Sequence, residues 1–247
     1  MSKQNKTCLV VLSGGQDSIT CLGLALSMYA TVRAISFNYN QRHAVELECA
    51  REVCRRHGVE HRIVELGPLL ASLVTSALTG VGDVGQPHAY KPGLPSSFVP
   101  GRNALFLTLA HAHAQEVGAS IVMTGVCQTD YSGYPDCRDS FIKALAYALN
   151  IGYETKISIV TPLMFSTKAE TFALAKEVGF LDEVLEHSHT CYRGDHEHRH
   201  DWGYGCGDCP ACELRKKGYD EWVAAGSPGL PPADEPTIPA ADGGAGS

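Results

Sequence analysis

The sequence predicts an α/β fold, with a doubly wound, parallel, five-stranded Rossmann-like sheet and a small C-terminal helical appendage. Two observations lead to this prediction. Short apolar segments rich in β-branched residues alternate along the chain with segments of helical periodicity, which is the pattern of strands joined by crossover helices. Beyond residue 188 this alternation ends, and four of the ten cysteines cluster there, which indicates a separate, smaller unit.

Predicted helices lie between all of the predicted strands. The strands are the segments 8–12, 31–37, 59–66, 119–125 and 154–161. The segments that carry apolar residues at helical spacing are 19–30, 41–57, 68–78, 103–117 and 139–150. Because parallel strands need such crossover connections, we expect helices on both faces of the sheet.

A further helix over 168–178 is predicted by the residues at its start. Thr167 and Glu170 have the spacing of a capping box, in which each side chain bonds to an otherwise unpaired amide at the helix start. By contrast, residues 79–102 form a connection too long for a plain loop, so we expect a lid or binding loop there.

Composition divides the chain into three parts. The last residues are rich in Pro and Gly and almost free of large apolar side chains, which predicts a disordered tail. The predicted parts are the main α/β domain over 7–180, a C-terminal segment over 181–226 and the tail over 227–247.

Composition and charge favour an enzyme that acts on small molecules. The 247 residues are 44% hydrophobic and 19% charged, which excludes a wholly disordered or fibrous chain. The formal net charge of −7 argues against a broad basic surface for nucleic acid. The opening residues MSKQNKT do not resemble a signal peptide, and no segment has the roughly 18 apolar residues of a membrane span. A soluble, cytoplasmic protein is therefore expected.

The segment SGGQDS at residues 13–18 lies between the first strand and the first helix. At such a junction free amides and the helix dipole favour an anion, and Gly14 and Gly15 let the backbone approach it closely. The Ser13 and Ser18 hydroxyls can donate further hydrogen bonds, whereas Asp17 suits a Mg²⁺ ion or the helix start. The alternative is a tight turn in which Asp17 or Ser18 is a simple N-cap.

A second group of residues has metal-ligand spacing. Cys191 is followed by the segment CGDCPAC, which contains Cys206, Cys209 and Cys212. Two-residue gaps let successive thiolates bind one ion, and a distant fourth thiolate closes a tetrahedral site typical of structural zinc. An iron–sulfur cluster could use the same ligands, and redox chemistry at a CxxC pair is a further alternative.

The histidines of the loop between Cys191 and Cys206, and the six other cysteines, are expected to have no catalytic or metal-binding role. The rival ligands in the intervening loop, which we expect to be solvated surface residues, are His196, His198 and His200. The cysteines that we expect to be inert packing residues are Cys8, Cys21, Cys49, Cys54, Cys127 and Cys137.

The motifs resemble those of known enzymes. Residues 13–18 resemble the SGGxDS loop of the ATP pyrophosphatases, or PP-loop enzymes, which adenylate a substrate and release pyrophosphate. More specific likenesses lie in FNYNQRHAVELE (37–48), PSSFVPGRNALFLTLA (95–110), TGVCQTDYSGYPDCRDSFIKA (124–144) and TPLMFSTKAET (161–171). Together with the four cysteines, these segments resemble the QueC family, the 7-cyano-7-deazaguanine synthases of queuosine biosynthesis, over residues 7 to 222. The departures are Asn40 in place of a family glycine, a longer His-rich loop and the Pro-rich tail.

The resemblance implies an ATP-dependent ligase that converts 7-carboxy-7-deazaguanine and ammonia to 7-cyano-7-deazaguanine (preQ0). It also implies a structural Zn²⁺ on the four cysteines, Mg²⁺ with ATP as co-substrate, and a homodimer. Two other interpretations are a PP-loop enzyme of the tRNA-thiolation type and a non-catalytic, zinc-bearing nucleotide-binding protein.

The resemblance also assigns expected roles to residues. Those expected to hold the pyrophosphate portion of ATP, with Asp17 nearest Mg²⁺, are Leu12, Ser13, Gly14, Gly15, Gln16, Asp17 and Ser18. Arg102 is expected to pair with a phosphate or with the substrate carboxylate, or else to form a structural salt bridge.

Asp130 and Asp136 are candidates for binding the guanine-like edge, with Tyr131 or Tyr134 stacked on the base, although turn formation explains the same residues. We expect Lys168 to be a solvated lysine at a helix start, with a phosphate contact as the alternative. For Arg42 and His43 the same two roles, solvated surface residue and ligand contact, are left open.

Overall fold

A central parallel sheet organises the computed structural model, which describes residues 3–39, 45–67, 99–129 and 134–230. The sheet has five parallel strands, as the sequence predicts, and their order is β3-β2-β1-β4-β5. The strands are β1 Gln4–Val11, β2 Tyr29–Asn38, β3 Glu60–Glu65, β4 Ile121–Thr124 and β5 Ser158–Val160.

Helices cover both faces of this sheet. They are α1 Gln16–Met28, α2 Val45–His57, α3 Arg102–Glu116, α4 Asp139–Tyr153, α5 Lys168–Glu177, α6 Leu181–His187 and α7 Pro210–Ala224. The predicted helix over 68–78 and most of the predicted binding loop over 79–102 lie outside the described residues. Helix α6 has no counterpart among the predicted elements, and neither has the short hairpin of β6 Arg199–His200 and β7 Gly203–Tyr204.

Two predicted boundaries are wrong for local reasons. Helix α1 begins at Gln16 rather than at residue 19, because Gly15 already serves as its N-cap with an extended backbone at φ −79° and ψ 166°. Strand β5 is shorter than the predicted 154–161, because α4 continues to Tyr153 and ends at Glu154, whose φ is 53°.

The strand order changes direction at β1. Cys8 of β1 pairs with Val32 of β2 on one side and with Ile121 of β4 on the other. The chain therefore builds the sheet outward in both directions from β1, and a crevice opens outside the carboxyl ends of β1 and β4. In open α/β sheets this position is the usual ligand site.

Two apolar cores lie on opposite faces of the sheet. Side chains alternate along β1, so Val10 packs in one core with α1, α2, α5 and α6, whereas Leu9 packs in the other core with α3 and α4. The capping box at the start of α5 is confirmed: Glu170 N donates to Thr167 Oγ1 at 3.2 Å, and Thr167 N donates to Glu170 Oε2 at 2.7 Å.

The last described residues pack against the main domain. Trp222 of α7 stacks on Phe172 of α5 with ring centroids 5.8 Å apart, and its Nε1 donates to the Pro228 carbonyl at 2.8 Å. Leu230 N donates to the Ala173 carbonyl at 3.3 Å. Packed chain therefore extends beyond the predicted start of the tail at 227, while residues 231–247 lie outside the described residues. Within the described residues, no helix is both long enough and apolar enough to cross a membrane.

Candidate nucleotide site and four-cysteine cluster

The phosphate-loop candidate, residues 13–18, lies in the crevice at the carboxyl end of β1. Ser18 Oγ accepts hydrogen bonds from the amides of Ser13 and Gly14 at 3.2 and 3.1 Å and donates to the Gly15 carbonyl at 3.0 Å. Ser13 Oγ lies 3.1 Å from the same hydroxyl. Two backbone amides thus converge on one point at the positive end of the α1 dipole, an arrangement that suits an anion.

Gly14 occupies a position that only glycine fits. Its φ of +95° is in a region that other residues avoid, and a Cβ there would lie 1.9 Å from the carbonyl oxygen of Glu46 in α2. On its other side, the Gly14 carbonyl accepts a hydrogen bond from His189 N at 2.9 Å. The loop is therefore held between the start of α2 and the segment that follows α6.

Two of the predicted phosphate-binding residues direct their side chains away from solvent. Leu12 is 1% exposed and belongs to the main core, so its backbone alone is available to a ligand. Gln16 is 2% exposed, and its side-chain amide has no hydrogen-bond partner among the described residues.

Asp17 forms an ion pair that the sequence does not reveal. Lys168 Nζ lies 2.6 Å from Asp17 Oδ2, and the Lys168 side chain is only 10% exposed. The expectation of a solvated lysine is therefore wrong, because α5 directs this side chain toward the loop. The other carboxylate oxygen, Asp17 Oδ1, is buried without a hydrogen-bond partner within the described part of the chain, and it is available to a cation.

A second polar group lies beside the loop at the start of α3. Arg102 Nη1 donates to the Tyr39 hydroxyl at 3.5 Å, and the guanidinium lies 6.0 Å from the Tyr39 ring centroid and 5.8 Å from that of Tyr134. Asp136, which is 7% exposed, accepts a hydrogen bond from Asn103 N at 3.1 Å. The structure therefore brings Arg102, Tyr134 and Asp136 together. The other residues expected in this region, which lie outside the described residues, are Asn40, Arg42, His43, Asp130 and Tyr131.

Charges in this group influence one another through a buried environment. Burial lowers the pKa of the Arg102 guanidinium, but the nearby Tyr39, Tyr134 and Asp136 outweigh that effect and raise this pKa above its ordinary value. Burial raises the pKa of Glu46 to about 7, and the Arg102 charge opposes the rise. Arg102 is therefore a permanent cation, and Glu46 is a carboxyl group that titrates near neutral pH.

The four predicted metal ligands converge. The Sγ atoms of Cys191, Cys206, Cys209 and Cys212 all lie within 4.8 Å of one another, with 3.9 Å between Cys206 and Cys212 and 4.0 Å between Cys191 and Cys209. A tetrahedral zinc ion with Zn–S bonds of about 2.3 Å holds its sulfurs about 3.8 Å apart. An iron–sulfur cluster distributes its four thiolates over two or four irons and so spaces at least some of the sulfurs more widely. The donor set therefore fits a single thiophilic ion.

The histidines of the intervening loop do not join these thiolates. His198 is 74% exposed and pairs with Asp195, as expected for a surface residue. The expectation of solvation is wrong for the other two. His200 stacks on Trp202 with ring centroids 4.4 Å apart, and His196 is half-buried, with its Nδ1 3.3 Å from that of His189.

The remaining cysteines divide into two groups. Five are buried in the main domain, as expected for packing residues: Cys8, Cys21, Cys49, Cys54 and Cys127. Burial raises the pKa of the Cys54 thiol to about 12. Cys137 differs because it lies at the second polar group, where Asn103 Nδ2 donates to its Sγ at 3.3 Å.

Sequence reasoning missed two fully buried residues beside the site. His189 is 0% exposed and Arg215 is 1% exposed. Neither belongs to a spacing pattern, and nothing in the charged segment LRKKGY around Arg215 indicates that this arginine is internal.

Comparison with known proteins decides the family. A family model described as "Queuosine biosynthesis protein QueC" matches residues 7–223. The chain belongs to the QueC family. This confirms the resemblance that the motifs indicate, and the match ends close to the end of α7.

Three similar proteins are each named 7-cyano-7-deazaguanine synthase. The chain is 53% identical over 219 residues to a 7-cyano-7-deazaguanine synthase of Wolinella succinogenes, covering 88% of this chain and 94% of the relative. It is 47% identical over 223 residues to that of Helicobacter pylori strain P12, covering 90% and 97%. It is 49% identical over 229 residues to that of Nitratidesulfovibrio vulgaris strain DP4, covering 87% and 93%.

Solved structures similar to this QueC chain are more distant. A 4-thiouridine synthetase in complex with RNA and ATP is 19% identical, with a TM-score of 0.47, covering 89% of this chain and 52% of that one. An ammonia-dependent NAD synthetase from Campylobacter jejuni is 18% identical, with a TM-score of 0.43, covering 74% and 68%.

Proposed function

We propose that this chain is an ATP-dependent 7-cyano-7-deazaguanine synthase, which converts 7-carboxy-7-deazaguanine and ammonia to the nitrile in queuosine biosynthesis. The observation that carries the proposal is that Glu46 joins the 13–18 loop to the Arg102 group: its carbonyl packs against Gly14, and its carboxyl group lies within electrostatic reach of Arg102. The loop suits a polyphosphate, and the Arg102 group suits a carboxylate-bearing base. The names of the relatives at about half identity support the same substrate.

The first half of the reaction makes an amide. A carboxylate resists ammonia because its charge repels nucleophiles and oxide cannot leave. The substrate carboxylate therefore attacks the α-phosphorus of ATP, and pyrophosphate leaves as the bridging P–O bond breaks. Ammonia then attacks the carbonyl carbon of the adenylate, the nitrogen releases one proton, and AMP departs with the breaking C–O bond.

The second half converts that amide to the nitrile with a second ATP. The amide oxygen attacks the α-phosphorus and again releases pyrophosphate. The nitrogen then loses its two protons, the C–O bond breaks and AMP leaves. Two AMP molecules and two pyrophosphates accompany each nitrile, which distinguishes this scheme from one that forms ADP.

Residues of the loop are proposed to bind the phosphates. The amides of Ser13 and Gly14 now donate to Ser18 Oγ. A bound pyrophosphate group is proposed to replace that hydroxyl as their acceptor, which would hold the α-phosphorus in line with the attacking oxygen. Lys168 lies close enough to share its charge between Asp17 and a phosphate. Asp17 Oδ1 is the position proposed for Mg²⁺, which neutralises phosphate charge when bound.

The Arg102 group is proposed to bind the deazaguanine. The Arg102 guanidinium can take the substrate carboxylate in a bidentate way, and the Tyr134 ring packs near it. The free oxygen capacity of Asp136 suits the ring N–H and amino group of a guanine-like edge, with Asp130 as the second candidate. These roles rest on geometry and family resemblance.

The four-cysteine cluster is proposed to hold structural zinc. Its sulfur spacing supports one tetrahedral ion with no open position for substrate. We further propose a homodimer in the cytoplasm that acts without nucleic acid. The ten cysteines, none of which forms a disulfide, support a reducing compartment, and the net charge of −7 disfavours RNA.

The proposal is tested by mass spectrometry of a complete reaction. Purified protein is incubated with Mg²⁺, ATP, ammonium and 7-carboxy-7-deazaguanine, beside a Ser13→Ala, Asp17→Ala double variant. We expect the nitrile and two equivalents of AMP from the wild-type chain, and a rate lower by a factor on the order of 10³ from the variant.

Three results decide between the proposal and its variants. Unchanged substrate with folded, zinc-loaded protein would overturn the assigned function. A product that stops at the amide would reduce it to a plain amide ligase. ADP and phosphate in place of AMP and pyrophosphate would contradict both adenylation steps.

A further inference from the structure

The segment between α6 and the cysteine cluster contacts the phosphate loop directly. His189 N donates to the Gly14 carbonyl at 2.9 Å, and the His189 carbonyl lies 3.5 Å from the ideal Cβ position of Gly15. Cys191, a ligand of the cluster, follows two residues later. The metal-ligating segment and the loop are therefore neighbours in space, although most of the chain separates them in sequence.

Arg215 holds this segment from the other side. Its Nη1 donates to Thr190 Oγ1 at 3.1 Å, its Nη2 to the Val184 carbonyl at 2.7 Å and its Nε to the Trp202 carbonyl at 2.8 Å. One guanidinium thus joins α7 to the end of α6, to the residue beside His189 and to the chain between β6 and β7.

The surroundings of Arg215 indicate a geometric role. Its hydrogen bonds among the described residues go to two carbonyls and a hydroxyl rather than to a carboxylate. A buried guanidinium without an adjacent acid is a poor source of stability, but its rigid fork can place three segments relative to one another. Gly203 leaves room for this fork, since a Cβ there would lie 2.3 Å from Nη2.

The electrostatic interactions of Arg215 also support a positioning role. Burial lowers the pKa of Arg215 to about 10, and the opposing attractions come first from Cys212 of the cluster and next from Asp17 of the loop. The guanidinium therefore lies within electrostatic reach of both sites.

We propose that Arg215 is a positioning residue for the phosphate loop, which it supports through Thr190 and the His189–Gly14 hydrogen bond. The four-cysteine segment thereby acts on nucleotide affinity as well as on stability. The inference deepens the proposed function and rests on it only in that the 13–18 loop binds ATP.

Two variants remove this support by small changes. Arg215→Lys keeps the charge but cannot reach three acceptors at once, and Thr190→Val keeps the side-chain shape but removes one acceptor. Arg199→Lys is the matched control, because Arg199 lies on the β6–β7 hairpin that Arg215 contacts but pairs with Glu186 at the surface.

The readouts are nucleotide affinity and loop protection in the full-length, zinc-loaded protein. Calorimetry with Mg²⁺ and α,β-methylene-ATP, whose α–β bridge cannot be cleaved, gives the affinity. Hydrogen exchange of residues 13–18 reports the loop without any ligand, and elemental analysis gives the zinc content of each variant.

We expect Arg215→Lys to weaken nucleotide binding by about tenfold and Thr190→Val by about threefold. In both variants exchange of the loop should become faster while zinc content stays at the wild-type value, and Arg199→Lys should change neither readout. Unchanged affinity and loop exchange in zinc-loaded Thr190→Val and Arg215→Lys would overturn the inference. If Arg215→Lys loses its zinc, Thr190→Val decides.

Failure of the proposed function looks different. A wild-type chain that binds no nucleotide would contradict the proposed function, and loop exchange in the variants would still decide whether Arg215 positions the loop. Faster exchange with no nucleotide binding would support the positioning role alone.

Discussion

The phosphate loop and the four-cysteine segment lie side by side, yet different contacts order them. Hydrogen bonds within the 13–18 loop join residues no more than five positions apart. The segment over 188–212 has a small apolar cluster around Trp202 and is tied instead by Arg215 and by converging thiols. The loop therefore has its own internal hydrogen bonds in addition to distant support from Glu46 and His189, whereas the segment depends on distant residues and, under the proposed function, on an ion.

The two regions should therefore be sensitive to different substitutions. The loop is damaged chiefly by a change in its own backbone, which should weaken both ligand binding and the packing of the loop against α2. A segment closed by an ion is damaged by loss of any one ligand, because the remaining three thiolates cannot complete the tetrahedron.

The largest effect is expected from Cys209→Ser. A structural zinc site contributes on the order of 10 kcal/mol to the folding of its segment, and Cys209 is both a ligand candidate and the N-cap of α7. We expect the variant to lose its bound zinc and to unfold at a lower temperature, as measured by elemental analysis and circular dichroism.

Cys54→Ala is the control for that variant. Cys54 is also buried, at 2% exposure, but it packs in the main core, so the change should cost about 1 kcal/mol and leave the zinc in place. A Cys209→Ser protein that retains one zinc and the wild-type melting temperature would contradict the claim that the four-cysteine segment depends on a bound ion.

A smaller but still severe effect is expected from Gly14→Ala. The new Cβ would overlap the Glu46 carbonyl oxygen at 1.9 Å and would sit on a backbone with φ +95°, so we expect about 4 kcal/mol of destabilisation and loss of ATP binding. Urea unfolding and calorimetry measure the two effects.

Gly118→Ala separates the clash from the backbone strain. Gly118 has φ +67° with nothing within 4 Å of its ideal Cβ position, so alanine there should cost only about 1 kcal/mol. Equal losses in the two variants would show that the packing against α2 does not matter to the loop.

The smallest expected effect depends on pH and concerns Glu46 of α2, which packs beside the loop. The pKa of Glu46 is raised from 4.5 to about 7 by burial, so the folded chain binds this proton more tightly than the unfolded chain does. Its contribution to stability is full below pH 4.5 and is lost as the pH rises through about 7. Glu46→Gln should therefore gain stability over wild type at pH 8, by no more than about 3 kcal/mol.

Urea unfolding at pH 5 and pH 8 measures that gain. Glu52→Gln, on the exposed face of the same helix, is the control, because Arg55 lowers the pKa of Glu52 and moves its titration below this range. A Glu46→Gln protein with the wild-type change between pH 5 and pH 8 would show that Glu46 ionises freely beside the loop.

Much of the fold was predictable because its signals are local. Apolar β-branched segments mark all five strands, and the Thr167 capping box marks the start of α5. Helix α6 was not predicted because it spans only seven residues, which are too few to show a clear helical periodicity. The end of α4 was misplaced because its last turn reaches into residues that favour a strand.

The site was predictable only where a motif exists. The spacing of the four cysteines predicted a cluster that the structure confirms, and SGGQDS predicted the place of the loop. No pattern could show that Lys168 reaches Asp17 or that Arg215 is internal, because both facts depend on how distant helices pack. The roles assigned to Arg102, Asp130 and Asp136 stay predictions.

The contact between Gly14 and His189, and the packing of Trp222 and Leu230 on α5, have a consequence for synthesis on the ribosome. The 13–18 loop emerges long before the chain that closes over it. Contacts of such long sequence separation slow folding. A nascent chain should therefore carry an exposed, incomplete loop until α7 has left the exit tunnel, and it should acquire nucleotide affinity only after that point.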